Sequence, residues 1–358
     1  MQYSRFICTL LLAALGLAVT NCSGVPPTYI APLAAASIQR GRAATHATGP
    51  DQKTDAIQQD IAASILQAQS LIKNDVIPRL YAKDFAHLNQ LLSDLQAHYA
   101  NDFLRESDLY AVLTTIADLR DPKAESYFNE WVQRFSVAYP AYLARGVYYT
   151  GMGWEARGMK PFKDLKTEEI EGMKTYFQKA IRDLERALDI NPHLVPCYAY
   201  LINIHMNFSP QYIIDSYKDK AFEIDPYNVT ARWNYILSLT PLWGDNIAKL
   251  ESFIKETIPY MTRNPKLQFI EGAAAFAKGE IKAYLEKPPK FAEAIQYYTE
   301  AISFGDHWRY YWRRGLVYIA NKQYREAVSD LDKAVQMRPS DRSVHQFLVH
   351  ARRRTAGS

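Results

Sequence analysis

The chain has 358 residues, 48% hydrophobic and 22% charged, which fits one large folded domain or two ordinary ones and excludes a disordered chain. A net charge of +4 is too small to point to nucleic acid, and no nucleic-acid partner is expected. Aromatic residues reach 13%, with 25 tyrosines, an excess that the packing of the body has to explain.

The first twenty residues have the layout of an export signal. Arg5 supplies the positive start, and the fifteen residues from Phe6 to Thr20 are apolar, short for a membrane span and suited to a signal core. The stretch ends in Val19-Thr20-Asn21-Cys22, which resembles a bacterial lipoprotein box, with Asn21 departing from the usual small residue. That resemblance implies a signal peptide over 1–21 and lipidation of Cys22. An ordinary cleaved signal and an uncleaved anchor are the other two readings. Ser23, rather than an aspartate, follows the cysteine, and the resemblance then implies the outer membrane. Of the three cysteines only Cys197 lies in the body, where an unpaired thiol is expected to be buried. Residues 22–53 show no periodicity and are rich in small residues and proline, the composition of a flexible tether.

Residues 54–140 read as an N-terminal helical region of about four helices. Ile61, Ile65, Leu66 and Leu71, then Leu88, Leu91, Leu92 and Leu95, recur at helical spacing. From 141 onward the pattern repeats. Tyr142, Gly146 and Tyr149 precede Ala180, Leu184, Ala187 and Pro192, with about 22 extra residues between the two groups. Pro192 to Pro226 spans 34 residues with Tyr198 and Ala221, and Pro226 to Pro265 spans 39 around Trp233. Gly272 belongs with Ala294, Tyr298 and Ala301, about ten residues further apart than a regular pair allows. Tyr311, Gly315, Tyr318, Tyr324, Ala327, Leu331, Ala334 and Pro339 complete the clearest copy, from Trp308 to Asp341. Ser340 is placed to cap a last helix reaching Arg353.

These spacings resemble the 34-residue tetratricopeptide repeat, in which a small residue lets two antiparallel helices approach and a proline ends the second. The fold class expected is all-α: a tetratricopeptide-like helical-repeat solenoid over 141–358, with an N-terminal helical cap and a C-terminal capping helix. The run from Phe128 to Gly158 also resembles a bacterial family known as domain of unknown function 4034, over about Leu80 to Asn191. That family brings no activity with it.

Motifs for chemistry are missing from the sequence. It holds no phosphate-binding glycine loop, GxSxG, HExxH, dinucleotide fingerprint or paired CxxC, so no enzyme and no cofactor are expected. His345 and His350 are five apart, which does not put both rings on one helical face, and no metal site is expected. The repeat template puts Ala199, Asn203, Met206, Asn207, Phe269, Phe276, Arg309, Trp312, Arg313 and Ile319 on the inner side of the first helices. Asn203, Asn207, Arg309, Trp312 and Arg313 are the candidate partner-binding residues, the alternative being that they are packing residues. Trp154, Glu155 and Arg157, in the extra segment of the first repeat, are candidates for a binding insertion or for local packing. From His307 onward, eleven Lys/Arg stand against four Asp/Glu, a basic end suited to an anionic partner or to a solvated outer face.

The expected function is a non-enzymatic protein-binding scaffold of the bacterial cell envelope, an outer-membrane lipoprotein facing the periplasm. Its partner would be another envelope protein or peptide, and its membrane contact a lipid anchor. A small-molecule or glycan binder with Trp154 as a lid is the alternative, and an enzyme in a helical ring the third.

Overall fold

The computed structural model describes residues 75–158, 164–244 and 246–356. The signal-like start, Cys22, the tether and Ile61, Ile65, Leu66 and Leu71 lie outside them. Every regular element among the described residues is helical. Four helices come first: α1 (Ile77–Tyr81), α2 (Phe85–Asn101), α3 (Glu106–Leu119) and α4 (Ala124–Arg134). In α2 the Asp84 carboxylate accepts the amide of His87, and Leu88, Leu92, Leu95 and Tyr99 form one buried stripe. α3 differs, since Leu109, Tyr110, Val112, Leu113 and Ile116 are buried together with the polar Glu106 and Asp118. A helix covered on so much of its surface is an interior element.

Five antiparallel pairs follow. They are α5 (Tyr139–Arg157) with α6 (Thr167–Ile190), α7 (Val195–His205) with α8 (Gln211–Ile224), and α9 (Val229–Leu239) with α10 (Ile247–Met261). A 3₁₀ segment, Pro265–Gly272, runs into α11 (Ala273–Glu280) and pairs with α12 (Phe291–Ser303). The last pair is α13 (Trp308–Ala320) with α14 (Tyr324–Met337), and α15 (Arg342–Ala356) covers its end.

The small residues act as the repeat template requires. A Cβ on Gly146 would sit 2.9 Å from Leu184, one on Gly315 2.9 Å from Leu331, and one on Gly272 2.4 Å from the Ala301 carbonyl oxygen. Glycine lets these pairs close without a neighbour giving way: a leucine side chain would have to turn at Gly146 and Gly315, and backbone would have to move at Gly272. An ion pair repeats with them: Arg145 grips both oxygens of Asp183 at 2.7 and 2.8 Å, and Arg314 grips Asp330 at the same distances. Each arginine directly precedes the glycine, and each aspartate the leucine that faces it, so Arg-Gly and Asp-Leu form a second internal repeat signature.

The irregular spacings have local causes. The extra residues of the first pair lengthen both helices, to 19 and 24 residues, around a connection at 158–166. In the fourth pair the chain continues past α11 through a π turn, Ile281–Leu285, before α12 begins. One expectation is corrected at the C-terminus. The cap of α15 is Asp341, whose Oδ1 accepts the amides of Ser343 and Val344, while the Ser340 hydroxyl is turned to Asp118 at 2.6 Å.

Candidate partner-binding site

In a solenoid of helix pairs the first helices form the inner side. Here α3 lies along that side. Its Glu106 accepts the amides of Val229 (2.8 Å) and Thr230 (2.9 Å) and the Thr230 hydroxyl (2.7 Å), capping α9 from 123 residues away. A carboxylate suits the positive end of a helix, but burial dominates and raises the Glu106 pKa to about 7. Beside it, Tyr99 donates to Asp225 at 2.5 Å and accepts from Asn228 at 2.8 Å. Lys266 donates to the Leu104 carbonyl at 2.6 Å.

At its other end α3 is fastened to the last repeat. Asp118 accepts from Arg338 at 3.2 and 3.4 Å and from Ser340, and Arg342 donates to the Leu119 carbonyl at 3.1 Å. Arg120 adds contacts to Asp118 and Glu155, both at 3.3 Å. The inner face is therefore not an open groove along its whole length, because the chain's own α3 spans it from the start of α9 to the last repeat.

This changes the setting of the residues singled out from sequence. The Asn203 Oδ1 accepts the Trp154 indole N–H at 2.7 Å. Asn207 donates to the carbonyls of Asn203 and Ile204 at 3.2 and 3.0 Å. Trp154, Glu155 and Arg157 are in the last turns of α5 and not on a loop. Trp154 packs edge-on to Phe177 and Trp243, with ring centroids 5.7 and 5.8 Å away. Arg157 is buried, its guanidinium 5.6 Å from the Trp154 ring and 5.2 Å from that of Trp243, and burial lowers its pKa to about 10. Glu155 is exposed and pairs with Arg120. These residues come together as a packed corner between the first three pairs.

The second group is at the far end of the inner side, on α13. Trp308 and Trp312 stack one turn apart, centroids 5.7 Å from each other. Three guanidiniums surround them. That of Arg309 lies 4.5 Å from the Trp308 ring and 5.9 Å from Trp312, that of Arg313 4.9 Å from Trp312, and that of Arg338 4.6 Å from Trp308. Trp312 is 9% exposed, so it is a packing residue as well as a candidate contact. Arg313 pairs with the buried Glu280 at 3.2 Å, and that carboxylate also accepts the Tyr298 hydroxyl at 2.6 Å. Burial opposes the charge on Arg313, but the Glu280 carboxylate outweighs it and holds the pKa up. Arg338 is paired with Asp118 and with Asp341.

Arg309 has neither arrangement. Its side chain is partly exposed and makes no ion pair with the described residues, and its pKa is pushed down to about 9 by burial, then by Arg338 and Arg313. Sequence reasoning missed Trp308 and Arg338 as members of this cluster, and Asp118 and Glu280 as its counter-charges. Trp308 was legible one turn before Trp312, whereas Asp118 is 220 residues from Arg338 and left no sequence signal. Among the described residues no three His, Cys, Asp or Glu side chains converge on a metal position, and no helix is long and apolar enough to cross a membrane. Cys197 is buried, and burial pushes its thiol pKa up.

The tetratricopeptide repeat family model matches residues 309–341, the hairpin that carries this cluster. Among solved structures the chain is similar to a tetratricopeptide repeat protein from Parabacteroides merdae ATCC 43184, with 16% identity over 82% of this chain and 99% of that one and a TM-score of 0.42. It is also similar to the APC/C hetero-tetramer Cut9-Hcn1, with 14% identity, 84% and 54% coverage and a TM-score of 0.36. A third is the P58(IPK) TPR domain, with 14% identity, 83% and 99% coverage and a TM-score of 0.25. No curated protein matches the chain. Identities this low do not carry a function across.

Proposed function

We propose that this protein is a non-enzymatic scaffold of the bacterial cell envelope that binds another envelope protein or peptide at the inner end of its last repeat. The observation that supports it is the α13 surface, where Trp308, Arg309 and Trp312 stand together on a matched tetratricopeptide hairpin and the Arg309 charge is unpaired. Aromatic and arginine side chains clustered in this way are the usual anchors of protein interfaces. The filling of the inner side by α3 narrows the contact to this end. Asn203 and Asn207, engaged within the chain, then shape the scaffold more than they meet the partner.

The address rests on the sequence: the signal-like start and Cys22 imply an outer-membrane lipoprotein facing the periplasm. Two experiments test the reading. Metabolic labelling with an alkyne fatty acid should mark the wild type and not a Cys22→Ala variant, and equal labelling removes the lipid anchor. Affinity capture from an envelope extract should retain a partner that an Arg309→Glu variant of unchanged helicity loses. Identical captures would remove the α13 surface as the binding site.

A further inference from the structure

The last helix, α15, carries one sign of charge. From Arg342 onward the sequence has four arginines and two histidines and no Asp or Glu. Its inward side is apolar, with Val344, Phe347, Leu348 and Ala351 buried. On the opposite side Arg342, Val349 and Arg353 follow one another at seven and four residues, which puts them in one stripe, and all three are exposed. Carboxylates cover only part of this charge. Arg352 pairs with Asp332 at 2.6 Å, and Arg342 acts on the Asp121 carboxyl. Arg353 and Arg354 are exposed and make no ion pair with the described residues, and neither does Arg325 on the adjoining α14. A face that only had to be soluble would mix both signs. One sign, with an exposed valine among the arginines, suits a surface of opposite charge.

The position of the helix indicates which surface. At the end of α1 the Tyr81 hydroxyl donates to Asp121 at 3.0 Å, just past α3. At the start of α15, Arg342 donates to the Leu119 carbonyl of the same turn at 3.1 Å. The segment that leads from Cys22 therefore enters the body, through the five residues of α1, beside the start of α15.

We propose that the outward face of α15, centred on Arg342, Val349 and Arg353 and flanked by Arg354, is a docking surface for an anionic phospholipid membrane. The inference rests on the lipid-anchor reading for the nearness of that membrane, since an anchor at Cys22 raises the effective concentration of headgroups at this corner of the body. Headgroup phosphates spread over a plane match guanidiniums spread along a convex helix face, and the valine can enter between them. Docking on this face would give a tethered body a fixed orientation.

The test is flotation of the purified full chain with mixed phosphatidylglycerol–phosphatidylcholine vesicles. Vesicles of phosphatidylcholine alone account for binding by the apolar start. The partition coefficient should be about tenfold or more higher on the anionic vesicles and should fall towards the neutral value as salt rises. Arg353→Gln with Arg354→Gln should remove most of this preference at unchanged helicity. Lys220→Gln with Lys255→Gln takes the same charge from exposed positions on α8 and α10 and should leave the preference in place. No anionic preference, a preference that survives loss of the two arginines, or equal losses in both double variants would each overturn the proposal. Binding of a polyglutamate peptide without vesicle binding would also overturn it and assign the face to an acidic protein. The two readings fail separately. Fatty-acid labelling at Cys22 without an anionic preference removes the basic face and keeps the anchor. An anionic preference without labelling does the reverse.

Discussion

Gly151→Ala tests whether α3 is a fixed part of the interior. A Cβ at Gly151, on α5, would lie 1.8 Å from the Ala117 carbonyl oxygen and 2.7 Å from its carbon, both backbone atoms of α3. Ordinary contact begins near 3.5 Å, so the helices must separate by roughly 1.5 Å. No rotamer change absorbs this, because α3 is held at one end by Glu106 on α9 and at the other by Asp118 on Arg338. Overpacking of this kind costs about 1–3 kcal/mol, and a backbone neighbour places it at the upper end. Alanine recovers about 0.5–1 kcal/mol of helix propensity over glycine, which leaves a net loss of about 2 kcal/mol. For a folded body of about 280 residues that is a fall of about 3–4 °C in the midpoint, read by circular dichroism at 222 nm. Gly146→Ala is the control. Its Cβ meets the Leu184 side chain at 2.9 Å, which can turn, and the Ala180 carbonyl oxygen at 3.3 Å, a much milder crowding, so the loss should be clearly smaller. Equal stability of the two variants would refute the account of α3 as a pinned interior helix.

Other perturbations address other parts of the same arrangement. Asp118→Asn keeps the shape but leaves Arg338 with only Asp341 at 3.5 Å; the loss should be about 1–3 kcal/mol by denaturant unfolding, moderated because the Arg338 side chain is 23% exposed. Glu106 has its pKa raised from 4.5 to about 7 in the folded state, so its contribution is complete below pH 4.5 and is lost as pH rises through 7, at most about 3 kcal/mol. Half-buried His205 and His307, with lowered pKa values, act in the opposite sense, so the difference between wild type and Glu106→Gln isolates the carboxylate; parallel stability–pH curves would remove its role. Trp154→Phe keeps a ring against Phe177 and Trp243 and loses the N–H donated to Asn203, a loss of about 1 kcal/mol; no change in unfolding midpoint would show that bond to be idle.

What the sequence revealed and what it hid follow from the range of the interactions. Tyr142, Gly146, Leu184, Gly315, Leu331 and Pro339 belong to hairpins, whose partners are a few tens of residues apart and recur at a fixed period. The all-α repeat architecture was legible from them. The pairing of Arg145 with Asp183 and of Arg314 with Asp330 was legible too, but as a charge pattern beside an apolar one, and it went unread. The position of α3 was not accessible in this way. Its fastening residues, Glu106 and Asp118, meet their partners 123 and 220 residues later. No local period marks such a contact. Of the two readings of the Trp154 segment, local packing is the one that matches its place in α5, because extra residues inside a repeat can lengthen two helices as readily as form a loop. Gly151 and Gly153 are within that helix, where Ala117 and Phe177 press against them.

These contacts also limit where a partner can bind. With α3 fastened across the inner side from α9 to the last repeat, an extended peptide lying along the first repeats would have to displace it, so affinity is better sought in a short stretch at the C-terminal end. A short contact with few side chains gains little from area and depends on a small number of strong anchors. The α13 cluster has that character, since stacked indoles bracket a guanidinium that the fold itself leaves unpaired. The same fastening by Asp118 that closes α3 onto the last repeat keeps Arg338 occupied, and so leaves Arg309 as the one cation of the three without a carboxylate. An Asp118→Asn variant that remains folded leaves Arg338 to Asp341 alone beside Arg309, and should hold a captured partner to a higher salt concentration than the wild type. An unchanged salt dependence would mean that the two arginines do not share one contact.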